Sequence, residues 1–184
     1  MRYLVIGTSG AGKSSFAARL AAAAQCPHIE LDALHWGAHW QAVPGAQFRQ
    51  SVIEATRAQR WVADGNYSAV REQLWPRATH VVWLDYDRFT VFSRVLWRTL
   101  SRGLLRTRLF HGNRESLRTA FFSRDSILRW SFTSFARNRR TFAALRQQPA
   151  FAHLQWTQLR CPAQADALLQ ALARAPRPGG KAGD

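Results

Sequence analysis

Hydrophobic and polar positions along this 184-residue chain form short apolar runs that alternate with longer segments of helical periodicity. This alternation is typical of a parallel β-sheet whose strands are joined by crossover helices, so we expect an α/β fold. The apolar runs predict five strands, at residues 3–6, 28–31, 60–63, 79–84 and 152–159. The helical patterns predict helices at about 13–24, 45–59, 67–75, 87–106, 125–147 and 163–174.

We expect residues 1–174 to form a single domain, because a chain of this length can bury one sizeable core. Residues 175–184 are rich in proline and glycine and predict a disordered tail. Two stretches fit no sheet element, one at 33–45 and one at 103–124. Both are long enough to fold over a bound ligand.

Cysteine usage and hydropathy indicate a cytoplasmic protein. Cys26 and Cys161 lie far apart and lack the spacing of a metal or redox pair, so we expect two reduced thiols. No apolar run reaches the roughly 18 residues that cross a bilayer, and no signal-peptide pattern precedes the first strand.

The chain is strongly basic, since 26 lysines and arginines against 11 acidic residues give a net charge of +15. Residues 88–146 hold fourteen arginines and only two acidic residues, Glu115 and Asp125, which is a net +12. Such a balance favours polyanionic partners, namely nucleotides, nucleic acid or an anionic membrane surface.

A phosphate-binding loop follows the first strand directly. Residues 7–14 read GTSGAGKS, which fits G-x-x-x-x-G-K-S, and a helical pattern comes next. Its glycines permit a turn whose backbone N–H groups surround phosphate oxygens, while Lys13 reaches the β- and γ-phosphates and Ser14 binds magnesium. We therefore predict that ATP and Mg²⁺ bind here. The residues expected to hold the nucleotide are Gly7, Thr8, Ser9, Gly10, Ala11, Gly12, Lys13, Ser14 and Ser15.

Lysine usage supports this prediction. The chain has 24 arginines but only two lysines, Lys13 in the loop and Lys181 in the predicted tail. A slim ammonium group lies against phosphates in a way that a planar guanidinium does not reproduce. The retained Lys13 therefore indicates a catalytic role.

Acidic residues follow three predicted strands, where ligands collect in parallel sheets. Asp64 ends the third strand, in the position of the magnesium-binding carboxylate beside a phosphate loop, although a helix or turn cap is the alternative. Asp85 and Asp87 end the fourth strand, and Asp87 is placed to cap the next helix. Asp32 ends the second strand and is the candidate for orienting a phosphoryl acceptor, with a surface turn as the alternative.

An arginine row predicts further phosphate contacts. Arg94 and Arg98 begin a row that recurs every four residues along one face of the predicted helix 87–106, with Phe89 and Phe92 on the opposite side. A bound anion would offset the repulsion within this row, so we assign Arg94 and Arg98 to the nucleotide site. A solvated surface is the alternative.

Arginines in and beside the stretch 103–124 are candidates for stabilising the transferred phosphoryl group. Arg124 is the strongest of them because Asp125 can fix its direction, and Arg114 and Arg118 follow. The alternative for Arg124 is a salt bridge at the start of the next helix.

These motifs together resemble the adenylate-kinase-like P-loop kinases, and more closely the bacterial topology modulation proteins of that group. The resemblance spans nearly all of residues 1–174 and is carried by the segments 7–14, 31–36, 64–67, 112–116 and 122–127. It implies a three-layer fold with five parallel strands in the order 2-3-1-4-5. It also implies an acceptor-binding segment at about 33–59, a lid at about 103–124, and a loop at 160–163 whose Arg160 lies by the adenine.

One departure concerns the acceptor. Adenylate kinases have Asp-Gly-Phe-Pro-Arg where this chain has Asp-Gly-Asn-Tyr at 64–67, and that arginine grips the acceptor phosphate. Here Arg71 is the nearest basic residue, so an unphosphorylated acceptor is the alternative to a nucleoside monophosphate. The residues expected around the acceptor are Asp32, Trp36, Asp64, Asn66, Tyr67 and Arg71.

The sequence thus predicts an ATP- and Mg²⁺-dependent phosphotransferase for a nucleotide, nucleoside or other small acceptor, acting as a monomer or homodimer. The alternative is an ATP-binding, nucleic-acid-binding protein that affects DNA topology, although no helix-turn-helix, zinc or RNA-recognition pattern is present. Membrane attachment through the arginine-rich helix is the least favoured. Arginines that converge on the phosphate loop would favour the kinase, and arginines on an outer convex face would favour the other two.

Overall fold

The structure, a computed structural model, describes residues 1–105 and 127–174. The predicted tail, and all of the predicted lid beyond residue 105, lie outside these ranges. The strands are β1 (Arg2–Gly7), β2 (His28–Glu30), β3 (Trp61–Asp64), β4 (His80–Leu84) and β5 (Gln155–Leu159). The helices are α1 (Lys13–Ala24), α2 (Leu31–His35), α3 (Gly45–Ala55), α4 (Arg71–Leu74), α5 (Arg88–Leu105), α6 (Ile127–Arg146) and α7 (Pro162–Arg174).

All five strands are parallel and form one sheet in the order β2-β3-β1-β4-β5. This confirms the predicted fold and strand order. Alternate side chains of the central strand β1 enter opposite layers, because successive residues of a strand point to opposite faces. Tyr3 and Val5 pack with α1, α7 and one side of α5, whereas Leu4 and Ile6 pack with α3, α4 and the end of α6.

Several element boundaries differ from the sequence prediction. The helix predicted at 45–59 ends at Ala55, where the Thr56 hydroxyl donates to the Val52 carbonyl oxygen at 2.7 Å and the helix stops. The helix predicted at 67–75 is divided into a 3-10 turn, the short α4 and a second 3-10 turn. The fifth strand begins at Gln155, because a 3-10 turn at Pro149–Phe151 precedes it. The helix α2 was not predicted.

Helix α5 turns the side that carries Arg94 toward the phosphate loop, while several large apolar side chains face outward. Val91 and Val95 are buried there, whereas Phe89 and Trp97 are 83% and 74% exposed. Phe89 and Phe92, which the sequence placed opposite Arg94, are 83% and 43% exposed, so that side of α5 lies on the surface. Neither α5 nor any other helix in residues 1–105 and 127–174 has the length and apolarity to cross a membrane.

Candidate active site

The phosphate loop connects β1 to α1 at the carboxyl edge of the sheet. Gly10 and Gly12 both have φ of 88°, in the left-handed region that residues with a side chain rarely adopt. A Cβ atom on Gly10 would also lie 2.0 Å from Cγ2 of Val95 in α5. Because α1 begins at Lys13, the positive dipole end of that helix faces the loop. The loop therefore has the local geometry of an anion-binding site.

Asp64, at the end of β3, lies against the first turn of α1. The Ser14 hydroxyl donates to its Oδ2 at 2.7 Å, and the His28 Nε2 hydrogen-bonds its Oδ1 at 2.9 Å. The Asp64 side chain is 5% exposed and each of its oxygens has a partner. The hydrogen bond between His28 and Asp64 raises the pKa of His28, although burial of the imidazole acts in the opposite direction. The structure thus brings together Ser14 and Asp64, the two predicted magnesium ligands.

Asn66 is bound to the phosphate loop itself. Its Nδ2 donates to the Gly7 carbonyl oxygen at 2.6 Å, and the Gly7 N–H donates to its Oδ1 at 3.3 Å. Both ends of the carboxamide are therefore used on the backbone of the loop. The predicted substrate residue Asn66 is placed where it holds the end of β1 to the segment after β3.

Asp32 and Tyr67, both predicted around the acceptor, are in direct contact. The Tyr67 hydroxyl donates to Asp32 Oδ1 at 2.6 Å, and Asp32 remains exposed. Burial, followed by the hydrogen bond to Asp32, raises the pKa of Tyr67, so that its hydroxyl stays protonated as a donor. Because α2 follows β2 without a loop, Asp32 lies in the first turn of α2, at the carboxyl edge of the sheet. Because Asp32 is an exposed residue, its side chain is accessible to a ligand.

An aromatic cluster packs behind this pair, with His35 at its centre. The imidazole lies 4.7 Å from Trp36, 4.9 Å from Phe48 and 4.6 Å from Tyr67, measured between ring centroids. Trp40 adds an edge contact to Trp36 at 6.1 Å and is 39% exposed. The cluster fixes the Tyr67 ring and therefore the direction of its hydroxyl.

Arg71 lies one helical turn beyond Tyr67, at the start of α4. Its guanidinium carbon is 5.6 Å from the centre of the Trp75 ring, and its Nε is buried without a hydrogen-bond partner. Burial lowers the pKa of Arg71, because desolvation disfavours its charged form. The sequence predicted that Arg71 and Asp32 both lie around the acceptor. In the structure Arg71 contacts Trp75, and Asp32 contacts Tyr67.

Arg94 of α5 converges on the phosphate loop, as the kinase prediction requires. Its Nη1 donates to the Ala11 carbonyl oxygen at 3.0 Å, and its guanidinium lies 5.1 Å from the centre of the Tyr86 ring. These groups border a cavity of about 320 Å³ between the loop, α5 and the start of α7. The cavity is lined by Gly10, Gly12, Ser15, Phe16, Arg19, Tyr86, Arg94, Pro162, Ala165 and Asp166.

The two acids at the end of β4 serve other contacts. Asp85 is 7% exposed and accepts from Arg139 Nη2 at 3.0 Å and from Gln158 Nε2 at 2.7 Å, which ties α6 to the sheet. Asp87 accepts from the Thr90 N–H at 2.9 Å, which confirms it as the cap of α5. Asp64, whose carboxylate meets Ser14 in the first turn of α1, is therefore the candidate magnesium ligand.

The structure describes two of the remaining predicted arginines, Arg98 and Arg160. Arg98 lies in α5, one turn beyond Arg94 along the same helix. Arg160 is exposed in the loop before α7, where its backbone N–H donates to Gln164 Oε1 at 2.6 Å, and the adjoining Pro162 lines the cavity. Arg114, Arg118 and Arg124 fall outside the described ranges.

Sequence reasoning missed two residues that the structure places in the site, namely His28 and Tyr86. The period-two pattern of β2 could have identified His28, because it puts His28 and Glu30 on one face of the strand. Tyr86 carries no sequence signal of its own, since its contact with Arg94 comes from another element.

Comparison with solved structures gives the class of fold. The crystal structure of a gluconokinase from Sinorhizobium meliloti 1021 matches 94% of this chain and 93% of that chain, with a TM-score of 0.50 and 19% sequence identity. At this identity the similarity concerns the fold alone. No protein-family model and no curated protein matches the sequence.

Proposed function

We propose that this protein is an ATP- and Mg²⁺-dependent phosphotransferase that transfers a phosphoryl group to a hydroxyl of a small molecule. The observation that carries the proposal is the arrangement of two pairs at one edge of the sheet. Ser14 lies 2.7 Å from Asp64 beside the phosphate loop, and the Tyr67 hydroxyl lies 2.6 Å from Asp32 at the end of the neighbouring strand β2. A donor site next to an accessible carboxylate is what transfer to a hydroxyl requires.

The donor would be bound by the backbone N–H groups of residues 7–15, with Lys13 against its terminal phosphates. The cavity beside Tyr86 and Pro162 would hold the nucleoside part of ATP. Arg94, which now donates to the Ala11 carbonyl oxygen, would bind a phosphate instead. Arg160 belongs to the loop that borders this cavity. The gluconokinase fold is consistent with a nucleotide as the donor.

The residues present also fit magnesium. Hard oxygen ligands suit this ion, and the Ser14 hydroxyl and the Asp64 carboxylate meet within hydrogen-bonding distance. Ser14 and Asp64 would hold the ion, which when bound neutralises charge on the phosphate oxygens during transfer.

Asp32 is proposed to orient the acceptor hydroxyl and to accept its proton as the phosphoryl group arrives. One carboxylate oxygen is held by Tyr67, so the other can point at the acceptor. Trp36 would form the wall of this subsite. Asn66, which is hydrogen-bonded to Gly7, would hold the phosphate loop in position beside the subsite. Arg71 remains a candidate for an anionic group on the acceptor.

Positive charge at the transferred group would come from arginines beyond the loop. Arg98 follows Arg94 on α5, and Arg114, Arg118 and Arg124 are proposed to complete the set. Stabilising charge that develops in the transition state is a large part of phosphoryl-transfer catalysis. The finer relationship to the topology modulation proteins rests on the sequence motifs alone.

ATP consumption measured against a panel of acceptors tests the function. The panel contains nucleosides, nucleoside monophosphates, sugars, sugar acids and DNA, and product formation is followed directly. Lys13→Ala, Asp32→Asn and Arg124→Ala should each abolish transfer, and Asp32→Asn should leave ATP binding intact. Full activity in any one variant would remove that residue from the mechanism, and no turnover with any acceptor would oppose the proposal.

A second candidate function is ATP-regulated nucleic-acid binding, favoured by the net +12 of residues 88–146. DNA affinity would then fall steeply with salt concentration. A plot of the logarithm of the binding constant against the logarithm of the salt concentration would fall with a slope of about 0.9 per phosphate neutralised. The contact of Arg94 with the phosphate loop favours the kinase, because it directs part of this charge at the nucleotide site. DNA-stimulated ATP hydrolysis without a phosphorylated product would reverse this preference.

A further inference from the structure

We propose that His28 is a positioning residue for the magnesium site, holding the Asp64 carboxylate so that one oxygen stays directed at Ser14. The proposal rests on the proposed function, since it concerns the same metal site. His28 contacts Asp64, and Asp64 in turn contacts Ser14, so His28 acts through Asp64.

The two oxygens of Asp64 are divided between two partners. His28 Nε2 lies 2.9 Å from Oδ1, and the Ser14 hydroxyl lies 2.7 Å from Oδ2. The side chains of His28 and Asp64 are 17% and 5% exposed, so water has little access to the first contact. A carboxylate held in this way cannot rotate freely about its Cβ–Cγ bond.

Strand register produces this contact. Glu30 pairs with Asp64, and His28 pairs with Val62, two residues earlier on β3. Residues two apart in a strand share a face, so His28 and Asp64 point to the same side of the sheet. The Val62 N–H donates to the Pro27 carbonyl oxygen at 2.9 Å, which fixes the backbone just before His28. The imidazole is therefore placed by the sheet rather than by a loop.

The orientation of Asp64 matters because magnesium tolerates little departure from octahedral geometry. A partner behind a metal ligand commonly sets that ligand's direction, and its loss costs about 10- to 100-fold in metal affinity or activity. A buried histidine and aspartate could also serve stability alone. Metal binding separates these roles, since a purely stabilising pair would not alter it in a folded variant.

The chain offers matched variants for the test. Glutamine places its Nε2 three bonds from Cβ, as histidine does, so His28→Gln keeps the donor to Asp64. Asparagine is one bond shorter and mimics only Nδ1, so His28→Asn loses it. His80→Asn is the control, because His80 lies at the start of β4 and contacts Thr79 and Tyr3.

Mn²⁺ serves as the probe, with its binding to the full chain in the presence of ADP followed by electron paramagnetic resonance. We expect His28→Asn to weaken Mn²⁺ binding about 10- to 100-fold. His28→Gln should restore most of the affinity, and His80→Asn should match the wild type. ADP affinity without metal should be the same in all variants, which also shows that they are folded.

Wild-type Mn²⁺ affinity in a folded His28→Asn variant would overturn the inference. An equal loss in His28→Gln and His28→Asn would do the same, because the donor would then be irrelevant. Mn²⁺ that fails to bind even the wild type with ADP would overturn the proposed function together with this inference. A failure of the inference alone is recognised by normal Mn²⁺ binding to the wild type.

Discussion

Gly10 of the phosphate loop and Val95 of α5 are packed so closely that a Cβ on Gly10 would lie 2.0 Å from Val95 Cγ2. The same glycine has φ of 88°, so an alanine there meets both backbone strain and a steric clash. This contact, with Val95 fully buried, joins the phosphate loop to the helix that carries Arg94 and Arg98.

Gly10→Ala should lower the free energy of unfolding by about 2–4 kcal/mol, from strain and overpacking together. Val95→Ala in the same chain should recover part of this loss, with a coupling of about 0.5–3 kcal/mol in a double-mutant cycle of urea unfolding. Gly12→Ala is the control. Gly12 has the same φ, but its Cβ would meet only the Arg94 Nη1 at 3.1 Å. Equal rescue of both alanines by Val95→Ala would contradict the packing argument.

Replacing Asn66 should loosen the phosphate loop. Asn66→Ala removes two hydrogen bonds to Gly7 and should cost about 1–3 kcal/mol of stability. Asn66→Asp should cost more, because a carboxylate oxygen would face the Gly7 carbonyl oxygen, which is 2.6 Å from Nδ2. Urea unfolding and metal-free ADP binding measure both effects. Stability and ADP affinity like the wild type in Asn66→Asp would show that the contact contributes nothing.

Arg94 should contribute to ADP binding through the planar shape of its guanidinium group as well as through its charge. Arg94→Ala should weaken ADP binding about tenfold, which corresponds to one charge-assisted contact. Arg94→Lys should recover only part of this, since lysine cannot stack on the Tyr86 ring as a guanidinium does. Calorimetric titration of ADP gives the comparison, with Arg137→Ala on the exposed side of α6 as the control. Full recovery by lysine would assign the role to charge alone.

His80 should make stability dependent on pH below neutrality. Burial lowers the pKa of His80 from its usual 6.5, because desolvation disfavours the charged imidazole. Its contribution to stability is therefore present above pH 6.5 and is lost as the pH falls through the lowered pKa of the folded state. The wild type should thus lose stability relative to His80→Asn as the pH is taken from about 7.5 to 5. Parallel unfolding curves across this range would contradict the prediction.

The fold could be predicted because its signals are local and periodic. The apolar runs of β1 and β4 and the loop at 7–14 specify strand, turn and helix in sequence, and their alternation implies parallel crossovers. The strand order 2-3-1-4-5 came from the resemblance to known kinases and was confirmed. The predicted helix boundaries were wrong where a single residue ends the helix. Thr56 does so after α3 through its hydroxyl, and Pro76 does so in the turn after α4 because it has no backbone N–H.

The candidate site could be predicted only in part. Ser14, Asp64, Asp32 and Tyr67 were all recognised, and the structure pairs them as Ser14 with Asp64 and Tyr67 with Asp32. The partner of Asp64 on its second oxygen, His28, was not recognised. Its role depends on a register between β2 and β3 that spans 36 positions of sequence.

By itself the sequence determined the class of fold, the phosphate loop and the types of residue at the strand ends, because glycine spacing and apolar periodicity are local features of the sequence. Only the tertiary structure decided which groups meet. It turned the Arg94 side of α5 toward the phosphate loop and left Phe89 and Trp97 outward, although their helical pattern suits either direction. The physical reason is that a helical pattern defines faces but not which face is buried. In the folded chain Val91 and Val95 are buried on this face, and Val95 packs closely against Gly10.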